Sequence, residues 1–283
     1  MNKLKHVVVV AALIVAVDVQ AVTIPFDEVK WEVKQKSDYC SMSAQHNGKG
    51  YTLRFEQRAG SALNMILMGR SVVSMGAQVN VSLDNAIWSH RQRTADQALL
   101  MSVPTQAESD QLMTMTSSGR FYQAFKSGWW ITYKGQAPSQ TLTFPSTGVQ
   151  AKSVEFDQCV ATLPLVGFDD AHSTAITFSN GQIKLSYTQL KSIYNISDLI
   201  NKDSDISKVY IDGYTDNIGS EIANIKLSKK RASEVAYAMV LNGVKKDMIR
   251  ITGQGPRNPL RSNATQDGRD QNRRVEIRLI KKQ

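Results

Sequence analysis

The chain has 283 residues, of which 42% are hydrophobic and 21% charged, a composition that excludes extended disorder and predicts about two globular domains. Its formal net charge of +9 excludes an acidic, solvating chain and favours an anionic partner: nucleic acid, a membrane surface or a cell-wall polymer. No apolar run reaches the ~20 residues that a helix needs to cross a bilayer.

The N-terminus has the pattern of a secretory signal peptide. The two lysines of Met1–His6 precede Val7–Val17, an unbroken apolar block of eleven residues, and small residues follow Asp18 up to Ala21. The alternative, a transmembrane helix that contains Asp18, is disfavoured because eleven residues rise only ~16 Å, about half of the hydrocarbon core. We expect residues 1–21 to be removed and the remainder to be exported. No cysteine follows the small residues, so no lipid attachment is expected there, and nucleic acid is not an expected partner.

The chain contains two cysteines, Cys40 and Cys159, and both follow the predicted signal peptide. An even number of cysteines in an exported protein predicts one disulfide. The alternative is a pair of unrelated buried thiols. The four histidines are scattered singly and show no metal-ligand spacing, so neither a metal nor a cofactor is expected.

Alternation of apolar and polar residues dominates residues 22–160. Turn signals such as Ala59-Gly60 and Lys134-Gly135 separate the alternating runs. Short strands with this punctuation are typical of a sandwich or a barrel, so we expect an antiparallel β-rich domain. Thr94–Leu100 is an exception and favours a short helix. The alternating runs are Tyr51–Glu56, Val79–Leu83, Leu112–Thr116, Trp130–Tyr133 and Thr141–Phe144.

Strand and helix patterns alternate over residues 165–283, which predicts a second domain of α/β type. A strand over Thr174–Phe178 is followed by a helix whose expected apolar face contains Tyr187, Leu190, Ile193, Tyr194 and Ile200. A strand at Val209–Ile211 precedes a helix from about Ser220, for which Gly243 is the expected C-terminal cap. The last strands are predicted at Ile249–Ile251 and Val275–Ile280. Residues 221–283 contain 15 Lys and Arg against 6 Asp and Glu, so much of the basicity lies here.

A candidate binding site lies at the start of the second of these helices. Asp216 falls between a strand and the helix, and Asn224, Leu227, Ser228 and Arg231 share one helical face because they are three and four residues apart. A carboxylate at one end and a guanidinium at the other suit a zwitterionic amino-acid ligand, whose carboxylate an arginine binds bidentately. The alternative is an Asp216–Arg231 salt bridge with a purely structural role.

Four stretches of the C-terminal half carry a further signal: Gly213–Asp216, Asn224–Val235, Gly253–Pro259 and Gly268–Ile277. Their order and spacing closely resemble the peptidoglycan-binding OmpA-like family, over roughly residues 165–283. The resemblance implies an OmpA-like α/β sandwich that binds the diaminopimelate-containing stem peptide of peptidoglycan.

The resemblance also implies roles for individual residues. Asp216 and Arg231 match the pair that holds diaminopimelate, with the arginine on its carboxylate. Thr215, Asn224 and Leu227 match positions that line the same pocket.

Two further positions lie at the edge of that pocket. Arg274 belongs to a segment, Asn272–Arg274, that matches the pocket rim. Phe178-Ser179 stands where many family members have Phe-Asp or Phe-Asn. Ser179 can still form a hydrogen bond but has no charge to attract the ammonium group of the ligand, so we expect weaker binding of wall fragments than in family members with an aspartate there.

Catalysis is not expected. Wall hydrolases need paired carboxylates, a Cys/His pair or a metal cluster, whereas the basic C-terminal half has one histidine, His172, and no cysteine. The fold class is therefore a two-domain α+β protein, in which a β-rich, barrel- or sandwich-like domain precedes an OmpA-like domain.

The two-part arrangement also resembles a family of periplasmic T-ring components of the polar flagellar motor. That resemblance implies a periplasmic location at the basal body, with stator subunits and basal-body ring proteins as partners and self-association in a ring. Residues 22–160 would carry these contacts, since Trp88, Trp129, Trp130 and several methionines lie among polar β-runs there. The alternative is a general envelope protein that tethers other layers to peptidoglycan without a motor.

Overall fold

A computed structural model describes residues 22–23, 25, 29–45, 50–69, 75–86, 89, 100–104, 111–115, 118–137 and 140–282. The predicted signal peptide, Trp88 and residues 94–99 of the predicted short helix lie outside the described residues. Within the described residues, no helix combines the length and the apolar character needed to cross a bilayer.

The N-terminal half contains two five-stranded sheets. In chain order the strands are β1 (Val22–Thr23), β2 (Lys30–Lys36), β3 (Tyr39–Gln45), β4 (Thr52–Arg58), β5 (Asn64–Met68), β6 (Gln78–Asp84), β7 (Leu100–Pro104), β8 (Gln111–Met115), β9 (Trp130–Lys134) and β10 (Thr141–Phe144). One sheet has the order β1-β10-β9-β6-β7 and the other β2-β3-β4-β5-β8. All neighbours are antiparallel except β1 and β10, which are parallel.

Both sheets contribute to one hydrophobic core, together with helices α1 (Gly119–Lys126) and α2 (Val149–Thr162). The alternation seen in the sequence is the reason, because every second side chain of a strand points to the same face. On β4, for example, Leu53 and Phe55 are fully buried whereas Arg54 between them is partly exposed. The antiparallel β-rich prediction is confirmed, and each sheet has two edge strands among the described residues. Trp129 and Trp130 belong to the buried residues.

The predicted disulfide is present between Cys40 and Cys159, whose Cα atoms are 6.0 Å apart. Cys40 lies on β3 and Cys159 on α2, and both side chains are buried in the core. The bond therefore attaches the helix at the end of the β-rich region to β3, which lies next to the edge strand β2 of the second sheet.

The C-terminal half consists of a four-stranded sheet with helices. Its elements are α3 (Phe168–Ala171), β11 (Ser173–Thr177), α4 (Tyr187–Lys202), β12 (Ile206–Tyr214), α5 (Glu221–Leu241), a 3₁₀ turn (Lys246–Met248), β13 (Ile249–Gly255), α6 (Gln266–Asn272) and β14 (Arg274–Lys281). The strand order is β11-β14-β12-β13, in which β12 and β13 are parallel and β14 is antiparallel to both of its neighbours. A second hydrophobic core forms between the sheet, α4 and α5.

The ends of α5 agree with the predicted signals. The side chain of Ser220 accepts a hydrogen bond from the Ala223 N–H and so caps the start of the helix. The helix ends at Leu241, and Gly243 adopts a φ of 92°, which a residue with a Cβ rarely tolerates.

The predicted apolar face of α4 is wrong in part. Tyr187, Leu190 and Tyr194 are 81%, 44% and 51% exposed, whereas Ile193 and Ile200 are buried as expected. The buried stripe consists of Ile193, Ile196, Leu199 and Ile200, because the helix is packed through its second half. The apolar residues of the first half of the helix thus lie on its outer surface and not in the core.

Candidate ligand-binding site

The loop after β12 places a carboxylate at the start of α5. The N–H of Thr215 donates to the carbonyl of Gly255 (2.8 Å), and its hydroxyl donates to the carbonyl of Asp216 (2.8 Å). Oδ1 of Asp216 accepts a hydrogen bond from the Ile218 N–H at 3.2 Å. The carboxylate therefore lies at the carboxyl ends of two parallel strands, where open α/β sheets bind their ligands.

Helix α5 packs directly on the backbone of the sheet. A Cβ on Gly213 would lie 2.1 Å from the carbonyl oxygen of Ser228, so this close approach requires glycine. The Ser228 hydroxyl accepts a hydrogen bond from the Gly255 N–H at 3.0 Å. Ser228, which shares the face of Arg231 in the sequence pattern, thus faces the sheet and holds the helix in place.

Arg231 is fully buried beneath the segment between β11 and α4. Its Nε donates to the carbonyl of Gln182 (2.7 Å) and its Nη2 to the carbonyl of Ser179 (3.1 Å). The guanidinium carbon lies 5.1 Å from the centre of the Phe178 ring, a cation–π contact. Nη1 has no hydrogen-bond partner in the described part of the chain. The site thus contains a buried cation with one unused donor nitrogen.

The electrostatics around Arg231 follow from this burial. The pKa of Arg231 is lowered to about 10, chiefly by desolvation and also by the positive charge of Arg273, while the negative charge of Asp216 opposes both effects. A ligand carboxylate at Nη1 would compensate the buried charge.

Asp216 pairs with Arg273 and not with Arg231. Nη1 of Arg273 lies 2.8 Å from Oδ2 of Asp216, and both side chains are buried. Nε of Arg273 donates to the carbonyl of Phe178 (3.2 Å), and Nη2 pairs with Asp270. The structural alternative considered above, an Asp216–Arg231 salt bridge, is absent among the described residues.

The structure does not place Arg274 with the buried charged side chains of Asp216, Arg231 and Arg273, which we call the buried group. Its Nε pairs with Glu276 at 2.7 Å, and its guanidinium lies 4.1 Å from the centre of the Tyr214 ring. Arg273, and not the predicted Arg274, provides the guanidinium at Asp216. Arg273 caps the end of α6 and directly precedes β14, so the signal that could have found it is the two-residue period of the strand, extended back by one step from the buried Val275.

The remaining predicted residues lie along α5. Asn224 is buried, and its Nδ2 donates to the carbonyl of Ile218 at 3.0 Å, so it braces the loop that carries Asp216. Leu227 is half-buried, one turn before Arg231. Thr215, Asp216, Asn224 and Arg231 thus surround the same loop–helix junction.

A cleft of about 760 Å³ adjoins this group, between the β11–α4 segment and α6. Three of the residues that line the cleft also contact Arg231 or Asp216: Phe178, the exposed Ser179 and Arg273. Asp216 and Arg231 do not line the cleft itself. The other lining residues are mostly uncharged and polar: Thr177, Asn180, Gln182, Ser186, Gln189, Gln266, Asp270 and Gln271. Among the described residues, no cluster of three or more His, Cys, Asp or Glu side chains is arranged to hold a metal ion.

The OmpA family model matches residues 177–273, which include every residue of this group. The outer-membrane lipoprotein YfiB of Pseudomonas aeruginosa is 33% identical over 144 residues, which cover 50% of this chain and 84% of YfiB. The peptidoglycan-binding protein ArfA of Mycobacterium tuberculosis is 44% identical over 102 residues, covering 36% of this chain and 31% of ArfA.

A further relative has a name that refers to motility. The sodium-type flagellar protein MotY of Vibrio parahaemolyticus is 31% identical over 130 residues, which cover 46% of this chain and 44% of MotY. The chain thus spans less than half of the length of ArfA and of MotY.

Proposed function

This chain belongs to the OmpA family, and on that premise we propose that it is a non-enzymatic envelope protein whose C-terminal region, residues 165–283, binds peptidoglycan. One observation carries the proposal: a buried guanidinium, that of Arg231, keeps one donor nitrogen unused within electrostatic reach of the Asp216–Arg273 ion pair. The name of the relative ArfA supports peptidoglycan as the ligand.

The stem peptide supplies the groups that this arrangement can bind. The carboxylate of diaminopimelate accepts from Nη1 of Arg231, and its ammonium group binds Asp216, whose oxygens accept further hydrogen bonds. Because Arg231 is fully buried, binding includes a movement of the segment Ser179–Gln182 that covers it. Phe178 and Leu227 supply apolar contacts.

The remaining assigned residues act around this contact. Thr215 and Asn224 hold the loop in position, and Arg274 supports the rim through its contact with Tyr214. Ser179 has no charge to attract the ammonium group, so on this proposal the affinity for free wall fragments is lower than in family members with an aspartate at its position.

Co-sedimentation of the purified chain with isolated sacculi tests this function. We expect Asp216→Asn to weaken binding about tenfold, because the ammonium loses its ionic partner. Asp212→Asn is the matched control: Asp212 is equally buried and pairs with Arg278 at 2.8 Å, but it lies on β12, outside the group. Equal binding by wild type and Asp216→Asn, or equal loss in both variants, would overturn the site assignment.

The finer proposal is a periplasmic T-ring component of the polar flagellar motor that holds stator units around the basal body. The similarity to MotY and the presence of a second, β-rich half support it. On this proposal residues 1–21 are a signal peptide, and residues 22–160 contact stator subunits, basal-body ring proteins and further copies of the chain.

The competing function is a general envelope tether, which the similarity to the lipoprotein YfiB favours. A deletion strain separates the two. A strain that assembles flagella but does not swim, together with a full-length fluorescent fusion concentrated at flagellar bases, supports the motor role. Normal swimming, or a fusion spread evenly along the wall, supports the tether.

A further inference from the structure

An apolar groove lies between α5 and the edge strand β13, away from the Asp216 loop. It has a volume of about 450 Å³. β12 pairs with one side of β13, and no strand of the described chain pairs with the other side. The groove is lined by Ser233, Ala236, Tyr237, Val240, Lys246, Ile249 and Ile251.

The apolar side chains of this groove are exposed to an unusual degree. Tyr237 is 62%, Ile251 40% and Val240 38% exposed, and they come from two facing elements. Contiguous apolar patches are rare on monomers unless they bind something. An unpaired strand edge beside such a patch offers backbone donors and acceptors for an added strand.

The charges around the groove indicate the chemistry of its occupant. Lys246 is the single charged residue among the lining residues, and none of them is acidic. Lys226 and Lys229 continue the stripe of α5 that contains Ser233, since they precede it at helical spacing, and both are exposed. Asp247 follows Lys246 in the chain but does not line the groove. A second copy of this chain would bring the same lysines together, which disfavours self-pairing.

We propose that this groove binds an extended segment of a partner protein that carries acidic residues around an apolar centre. The segment pairs with the free edge of β13 as an added strand. Every second side chain then points into the groove, onto Tyr237, Val240 and Ile251, while the acidic residues at either end meet Lys246 and Lys229. The surface is separate from the proposed peptidoglycan site and gives the wall-binding half a protein contact of its own.

A phage-displayed library of random linear peptides, selected on the full chain, tests this proposal. We expect the enriched peptides to share acidic residues on both sides of alternating apolar positions. Synthetic copies, followed by fluorescence anisotropy, should bind Ile251→Glu at least about tenfold more weakly, because a like charge then lies in the groove. Ile280→Glu is the matched control, since Ile280 is 42% exposed on β14, on the opposite face of the sheet, and its variant should bind like wild type.

Three outcomes would overturn the proposal. These are the absence of enriched peptides, enriched peptides that are basic or that bind Ile251→Glu as well as wild type, and a dimer of the chain that dissociates in Ile251→Glu. The last outcome, measured by sedimentation, would assign the groove to a second copy. Sacculus binding by Ile251→Glu should remain at the wild-type level, so failure of this proposal is distinguishable from failure of the wall-binding function.

Discussion

Replacing Arg231 with alanine should weaken peptidoglycan binding by one to two orders of magnitude while the chain still folds. Its two hydrogen bonds to loop carbonyls come from a charged donor, and such bonds contribute about 1.5–3 kcal/mol each. Burial, however, lowers the pKa of Arg231 to about 10, and keeping the guanidinium charged inside the protein costs about 3 kcal/mol. The two effects cancel in part, so the free energy of unfolding should fall by about 3 kcal/mol at most.

For peptidoglycan binding, no gain in desolvation energy offsets the contact that is lost. The ligand carboxylate loses a charge-assisted contact of about 1.5–3 kcal/mol, so the affinity for sacculi should fall by about one to two orders of magnitude. Arg231→Lys should retain part of the affinity, because it keeps the charge but lacks the planar guanidinium that bonds Ser179 and Gln182 while presenting Nη1 to the ligand. Arg278→Ala removes the same charge outside the proposed site and should leave binding near the wild-type level, although it lowers the free energy of unfolding because the buried Asp212 loses its partner.

Urea unfolding followed by far-ultraviolet circular dichroism measures the first quantity, and co-sedimentation with sacculi at a temperature where all variants are folded measures the second. Wild-type binding by a folded Arg231→Ala would refute the reasoning, because Arg231 would then only hold the loop. A loss of binding in Arg278→Ala as large as in Arg231→Ala would refute it as well, since general charge would then explain the effect.

Three further predictions concern the fold. Removing the disulfide by Cys40→Ala with Cys159→Ala should cost about 5 kcal/mol, because the bond closes a loop with a sequence separation of 119, and tryptophan fluorescence in urea measures the loss. Tyr133→Phe should stabilise the β-rich half by about 1 kcal/mol, since the fully buried hydroxyl has no partner among the described residues. Burial also raises the pKa of Tyr133 above its ordinary 10.0, so the wild type should lose stability as the pH rises past about 10, where the unfolded chain ionises, and the variant should lose less in denaturation at pH 9 and 11. Gly213→Ala should lower the melting temperature of the C-terminal half, because its Cβ would meet the Ser228 carbonyl at 2.1 Å, whereas Gly181→Ala, which has open space, should be milder despite its φ of 67°.

Several features of the fold follow from short-range patterns. The alternation at Tyr51–Glu56 and Val79–Leu83 predicted strands correctly because one face of each strand is buried and the other is not. Ser220 and Gly243 marked the ends of α5 because capping and positive φ are local requirements. Tyr187, Leu190 and Tyr194 of α4 were wrongly assigned to the core. The spacing of apolar residues shows that they share one face of the helix, but it does not show whether another element covers that face.

The sequence by itself determined which chemical groups this protein presents along α5. These are a carboxylate, that of Asp216, between the strand and the helix, and a guanidinium, that of Arg231, within the helix. Only the tertiary structure decided their partners. Asp216 binds Arg273, which is 57 residues away, and Arg231 bonds the backbone carbonyls of Ser179 and Gln182, at separations of 52 and 49 residues. A carbonyl acceptor is present at every residue, so no side-chain pattern marks those that a guanidinium will meet. Which of them it meets depends on the order of the strands and on how closely α5 packs against Gly213.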